Sequence, residues 1–234
     1  MNFFMWAVVP CKKLEFAKRR LAPILSAGER RCLVSAMLFD VLDVLTKISV
    51  LSGVAVISSD PNLADLTRSF GVRCCLSDSD AGLSAALTLA SGFLSNDGAK
   101  GVLAVPGELP LLARANVMRA IEAVTARPAV ALAPDRNNQG TNLLAMAPPG
   151  AIPYLFGGMS FQAHIVAAQT RGIEPVVIRT EGLGLDIDTA KDLIFFAREH
   201  SPTGTFNYIA ESGIRDRLLL ETADAPLKAK ARGG

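Results

Sequence analysis

Histidine is nearly absent from this sequence, at two positions, and cysteine, tyrosine and tryptophan are scarce as well, at four, two and one. The cysteines, Cys11, Cys32, Cys74 and Cys75, show no C-x-x-C spacing and no histidine nearby, which excludes the common zinc sites. Adjacent cysteines in an extended segment point to opposite faces, so Cys74 and Cys75 suit neither a shared metal nor an easy disulfide. Reduced, structural thiols in a cytoplasmic protein are the expectation. Excess charge is lacking too. Lys and Arg number 24 against 22 Asp and Glu, so there is no electrostatic footprint for sequence-independent binding of nucleic acid. Nor is there an apolar run fit for a bilayer. Phe3 to Val9 stops at Pro10 and is followed by positive charge, the reverse of a secretory signal. Cys32 to Ile57 is broken by Asp40, Asp43 and Lys47, so neither stretch predicts a membrane partner. A G-x-S-x-G elbow is also missing, which removes the commonest serine-nucleophile arrangement.

What remains is a chain of 234 residues, half of them hydrophobic, enough for one large domain with a continuous core. Short apolar runs at Phe4 to Val9, Val54 to Ile57, Val72 to Leu76, Gly101 to Val105 and Ala129 to Ala133 read as strands. Between them, Gly28 to Ile48, Leu63 to Phe70, the Leu83-Ala86-Leu87-Ala90-Leu94 face and Ala113 to Thr125 read as helices. After Pro134 the pattern weakens: Asn142 to Met146 and Pro175 to Ile178 are candidate strands, Ser160 to Thr170 and Ala190 to Arg198 candidate helices. Beyond Ser201 it fades, and Ala223 to Gly234 reads as a loose tail. Such alternation predicts an α/β fold, a mostly parallel sheet with helices on both faces.

The densest chemistry lies in Leu185-Asp186-Ile187-Asp188-Thr189. If that segment is extended, Asp186 and Asp188 share a face, and paired carboxylates call for a hard cation such as Mg²⁺ between them. The competing reading is that Asp188 or Thr189 caps the next helix. Glu108, held between Pro106 and Pro110 at the end of the fourth strand, would complete a three-carboxylate site, or is a surface glutamate in a tight turn. Lys12, Lys13, Lys18, Arg19 and Arg20 crowd the loop after the first strand, where open α/β sheets bind ligands, and could hold a polyphosphate. Ala133 to Asn142 is rich in polar donors around Gly140, suited to an oxyanion or equally to a hairpin turn. Ser160, after Phe156-Gly157, sits where a helix starts, as an anion site or a plain cap. His164 shares its face one turn on, and a satisfied packing histidine is favoured there over a catalytic base.

In that order, Pro10-Cys11-Lys12 with Lys18-Arg19-Arg20-Leu21, Asp80-Ala81-Gly82-Leu83, Glu108-Leu109-Pro110-Leu111, Gly140-Thr141-Asn142, Phe156-Gly157 with Ser160 and His164, and Leu185 to Thr189 resemble the 2-phospho-L-lactate guanylyltransferases of deazaflavin coenzyme biosynthesis, including their phosphoenolpyruvate-using bacterial relatives. The resemblance implies a Rossmann-like, glycosyltransferase-A-like three-layer sandwich, often a homodimer, using GTP, Mg²⁺ and a small phospho-acid. It implies one nucleotidyltransferase domain over 1–200 and a C-terminal extension over 201–234. It further implies Glu108, Asp186 and Asp188 as metal ligands and Lys12, Lys18 and Arg20 at the triphosphate. Asp80, Gly82 and Leu83 would lie at the base, with Thr141, Asn142, Gly157 and Ser160 around the acceptor. Three departures stand out: Glu108 where the family usually has aspartate, longer by about 1.5 Å; Ser84 where it often has asparagine; and Asn137-Asn138-Gln139 before Gly140. Nucleotidyltransferases that charge a molybdopterin or a sugar phosphate are the nearest rivals, but they carry a glycine-rich loop after the first strand, and Pro10 to Leu21 has no glycine. A non-catalytic nucleotide-binding relative is the rival of a different class.

Overall fold

Strands whose residues are apolar at every position belong in a sheet covered on both faces, and that is the frame of this molecule. The computed structural model describes residues 4–16, 18–77, 82–126 and 128–220; Asp80 and the tail from Ala223 lie outside the described residues. The strands are β1 (Met5–Pro10), β2 (Leu51–Ser58), β3 (Arg73–Leu76), β4 (Gly101–Ala104), β5 (Ala129–Pro134), β6 (Thr141–Ala147) and β7 (Val176–Val177). They form one sheet in the order β3-β2-β1-β4-β6-β5-β7. Pairings β1–β2, β1–β4, β2–β3 and β5–β7 are parallel. β6 runs antiparallel to both its neighbours, so the sheet is mostly parallel with one reversed strand.

The helices are α1 (Ala27–Thr46), α2 (Leu63–Leu66), α3 (Gly82–Asn96), α4 (Arg114–Ala123), α5 (Ser160–Gln169), α6 (Glu181–Gly184), α7 (Ala190–Arg198) and α8 (Gly204–Glu211). Alternate strand residues enter alternate layers. Ala7, Val9, Val56 and Leu103 pack with Leu38 and Leu42 of α1 and Val117 of α4. Val8, Ile57, Val102 and Leu144 pack with Leu87 of α3 and Phe161 of α5. The result is the three-layer α/β sandwich expected.

Of the differences from the reading of the sequence, which include the unforeseen α6, two bear on the fold most. The helix expected over Leu63 to Phe70 breaks after Leu66 into a tighter turn over Arg68–Phe70, closed by Gly71 at φ 65°. There the Thr67 hydroxyl bonds back to the Leu63 carbonyl at 2.8 Å, a contact that loosens helices. The fading pattern beyond Ser201 conceals α8 and a further helical stretch at 214–220. The N-terminus of α8 is held by a distant residue: Asp40 of α1 accepts from the Gly204 and Thr205 amides at 2.7 and 2.8 Å. A third cluster results, joining Leu33 and Met37 of α1, Phe196 of α7, Ile209 of α8 and Leu218 to Leu21, Leu185 and Ile187. That cluster grips both segments that carry the charged candidates.

Candidate active site

Because six strands run one way, the carboxyl ends of β1, β4, β5 and β7 share one edge, and the reversed β6 brings its first residues, Thr141 and Asn142, to the same edge. Beyond β1 lies the basic loop. It is secured by Asp60, whose Oδ2 accepts from the Leu14 amide at 3.1 Å. Lys18 adopts φ 54° and ψ 41°, a left-handed conformation unfavourable for lysine. It turns the side chain inward, where it is 1% exposed. Its Nζ lies 2.5 Å from Glu108 Oε2 and 2.6 Å from Asp188 Oδ1. Thus Lys18, expected at the triphosphate, is held first by carboxylates. Arg20 stays exposed, its Nη1 4.0 Å from Asp188 Oδ2, and the exposed Lys12 adds its charge to the field at Asp188.

The carboxylate segment lies in no helix or strand and is flanked by extended backbone at Leu185 and Thr189. Ile187 N donates to the Glu108 carbonyl at 3.3 Å, stitching it to the turn after β4. Before it, α6 is capped by Thr180, and a Cβ on Gly182 would overlap the Leu111 carbonyl oxygen, so only glycine lets α6 lie this close. After it, Thr189 caps α7, forming a reciprocal pair with Asp192. The two readings of Asp188-Thr189 therefore separate by residue: Thr189 caps, and the Asp188 side chain faces Lys18. Asp192 also holds Arg136, at 3.1 Å. Local sequence placed Arg136 only within the polar loop and gave neither it nor Asp60 a partner, because both act far along the chain.

Electrostatics follow from this geometry. Burial alone would depress the Lys18 ammonium, but Glu108 and Asp188 more than offset it and hold it above its ordinary range. Burial opposes the charge of Asp188 as well, yet Lys18 wins and keeps its carboxyl below the ordinary value. Asp186 is the opposite case. Burial and then the neighbouring Asp188 push it up, and the pull of Asn142 and Lys18 does not restore it. Asn142 Nδ2 donates to the Leu183 carbonyl at 2.8 Å and lies 3.4 Å from Asp186 Oδ1. The Cys11 thiol, pushed to about 12 by burial and then by Glu108 and Asp60, stays protonated and inert.

No three His, Cys, Asp or Glu side chains among the described residues are gathered in metal-ligating geometry. The expected carboxylate trio is modified: one oxygen each of Glu108 and Asp188 is taken by Lys18. The donor chemistry still fits Mg²⁺, since all donors are hard oxygens, Asp186 is under-compensated, and Mg²⁺ needs only one or two carboxylates besides phosphate and water.

On the β6 side, pairing with β5 shifts by a residue between Ala133 and Pro134, leaving Asn142 as the extra residue of a bulge. Leu143 is buried in the α1 layer. Through the bulge, Thr141 instead reaches the α5 layer, its Oγ1 3.0 Å from His164 Nδ1. His164 is fully buried and its Nε2 accepts from the Leu155 amide at 2.9 Å, the satisfied packing histidine expected. Ser160 is buried at the first turn of α5, and exposed Gly157 precedes it. Gly82, at φ 75°, and the exposed Leu83 open α3. Ser84 Oγ accepts from the Phe156 amide at 3.0 Å, linking α3 to the loop before α5. Among the described residues no helix is long and apolar enough to cross a membrane.

A sandwich whose carboxyl edge carries a basic loop, a clasped lysine and a paired-carboxylate segment defines a nucleotidyltransferase. The family model described as "Guanylyl transferase CofC like" matches residues 5–224, and the chain belongs to that family. It is 37% identical over 198 residues to a phosphoenolpyruvate guanylyltransferase of Sphaerobacter thermophilus, covering 85% of this chain and 94% of that one. A 2-phospho-L-lactate guanylyltransferase of Methanothermobacter thermautotrophicus is 34% identical over 187 residues, covering 80% and 81%. Among solved structures, a Desulfovibrio desulfuricans G20 protein described as a nucleotide-diphospho-sugar transferase superposes with a TM-score of 0.76 at 16% identity, covering 92% of this chain and 97% of that one. At that identity the likeness concerns the fold alone.

Proposed function

We propose that this chain is a guanylyltransferase that joins GMP from GTP to a small phosphorylated carboxylic acid, phosphoenolpyruvate or 2-phospho-L-lactate, with release of pyrophosphate, in deazaflavin coenzyme biosynthesis. The observation that carries this reading is the clasp of Lys18 between Glu108 and Asp188 beside Asp186, facing the basic loop. A phosphate oxygen of the acid attacks the α-phosphorus in line, and the bond to the pyrophosphate oxygen breaks. No protein nucleophile is needed, so the residues position two anions and offset their repulsion. Lys12 and Arg20 hold the triphosphate. Lys18 fixes the carboxylates and supplies a buried positive charge at the reacting phosphates. Asp186 and Asp188, with the second oxygen of Glu108, would hold Mg²⁺, which when bound offsets phosphate charge. Asp80, Gly82 and Leu83 are assigned to recognition of the base, and Thr141, Asn142, Gly157 and Ser160 to seating the acceptor.

The catalytic unit is read as 1–200 in the cytoplasm, with 201–234 an extension that backs the carboxylate segment through α8; as a homodimer it would run at twice the chain mass in light scattering. Mass spectrometry of products from GTP and each phospho-acid tests the function. A GMP-acid adduct with phosphoenolpyruvate or 2-phospho-L-lactate is expected. GTP binding without any adduct would favour a non-catalytic relative, and an adduct only with a sugar phosphate would favour the rival transferases.

A further inference from the structure

The Thr141 hydroxyl can present either its proton or its lone pairs to a ligand, and its neighbours determine which. A backbone amide can only donate, so the bond from Leu155 N to His164 Nε2 at 2.9 Å leaves that nitrogen without a proton. A neutral imidazole then carries its proton on Nδ1, which lies 3.0 Å from Thr141 Oγ1. The ring is therefore the donor in that contact, and Thr141 accepts. Its own hydrogen is thereby left for a partner other than His164, although the side chain is largely buried at the start of β6.

We infer that His164 is a positioning residue that makes the Thr141 hydroxyl a donor for an anionic oxygen of the acceptor. This rests on the reading of Thr141 as part of the acceptor seat. It also assigns the buried histidine, which the transfer chemistry leaves idle. Acting as a general base is closed to it, because its only basic nitrogen faces a peptide N–H. Protonation would set Nε2–H against Leu155 N–H, and burial independently holds the ring near pKa 4.

The frame around the ring is built to keep this tautomer. A half-turn of the imidazole would put carbons at both polar partners, and the Phe156 ring, edge-on at 5.1 Å, packs against it. Phe156 is itself tied to α3, through its amide and Ser84 Oγ at 3.0 Å. The peptide next to the amide that fixes the tautomer is thus held from the helix that opens at the proposed base site. The bulge at Asn142 is the other necessary part, since it sends Thr141 to the α5 layer at all.

The test begins with ¹⁵N-histidine NMR of the full chain, in which two histidines give a readable spectrum. His164 is expected as the neutral Nδ1–H tautomer, unchanged between pH 8 and pH 5. A proton on Nε2, or titration near the ordinary histidine value, would overturn the inference whatever the activity. Kinetics supply the second arm. His164→Gln, which offers a group at the Nε2 position but no donor to Thr141, should raise the KM for the phospho-acid about tenfold, as expected for one lost oriented hydrogen bond, and leave the KM for GTP unchanged. His164→Asn, which keeps a donor at the Nδ1 position, should bring the KM back to within about threefold. Thr141→Val should match His164→Gln, with no further loss in the double variant. Equal losses toward GTP and acid would reduce His164 to a packing role. Absence of turnover in the unaltered protein would instead count against the proposed function, with the NMR result standing apart.

Discussion

The Lys18 ammonium sits 2.5 Å from Glu108 Oε2 with its side chain 1% exposed, while the Glu108 side chain keeps 29% of its surface. The cation is sealed and the anion stays partly open to solvent. Lys18 is therefore a fixed internal counter-charge, which a mobile surface lysine could not supply.

Replacing it by methionine keeps the length and removes the charge. Lys18→Met should lower kcat for pyrophosphate release by about 10²–10³-fold, the scale of losing one preorganised electrostatic group. The fold should persist, because the carboxylates left behind are exposed enough to rehydrate. Circular dichroism and a pyrophosphate assay read both. Turnover within about threefold of the unaltered chain would remove Lys18 from the mechanism.

Shortening Glu108 separates its two roles. Glu108→Asp withdraws the carboxylate by about 1.5 Å, loosening the hold on Lys18 and freeing oxygens for the cation. Half-saturating Mg²⁺ should fall or stay constant. A rise of about tenfold in that titration would show that Glu108 needs its length for Lys18 rather than for metal.

Asp188→Asn should abolish turnover and leave the protein folded, since the change also relieves the like charge that raises Asp186. Retained GTP-dependent pyrophosphate release at more than about one part in ten would remove Asp188 from the site.

Gly182→Ala places a methyl against the Leu111 carbonyl and must push α6 away, together with the Leu183 and Asp186 contacts of Asn142. Urea unfolding should show a loss of about 1–3 kcal/mol, the usual cost of overpacking. Unchanged stability with full activity would mean that α6 moves freely.

His164 makes stability depend on acidity. Its pKa is lowered from 6.5 to about 4 by burial, and its polar neighbours, Thr141 and the Leu155 amide, are uncharged. Below 6.5 the unfolded chain takes a proton that the folded chain refuses. Stability therefore falls as pH drops from 6.5 toward 4, by on the order of 3 kcal/mol in all, at about 1.4 kcal/mol per unit. Unfolding free energies at pH 7.5 and pH 5 should show this decline in the unaltered chain and a smaller one in His164→Asn. Equal declines would assign the effect to other groups.

The sandwich was legible because its strands are apolar on both faces and its helices repeat at the helical period; α7 runs over Ala190–Arg198 as read, with Thr189 the cap. α8 was not, although Thr203 caps it locally: its first amides are also held by Asp40, 164 residues away, and its buried face is made by packing on α1. At the site, the residues could be named from local patterns, but their pairings could not. Nothing near Lys18 reveals a left-handed backbone that turns it toward Glu108. The bulge at Asn142 was equally hidden, and strict alternation would send Thr141 to the wrong layer. Such features arise from long-range packing, which periodicity does not encode.

One architectural detail bears on how this scaffold could change its clientele. The lone reversed strand enters the sheet at the edge that carries the candidate site, so the turn over 135–140 is a hairpin beside the proposed acceptor seat, with both legs clamped between β4 and β7. Swaps in that tip at Asn137 or Asn138, which spare the ties of Arg136 and Gln139, would reshape the opening with the strands left in register. Selectivity for one acid over another could then drift through a handful of residues, with the triphosphate machinery on the far half of the sheet inherited unaltered.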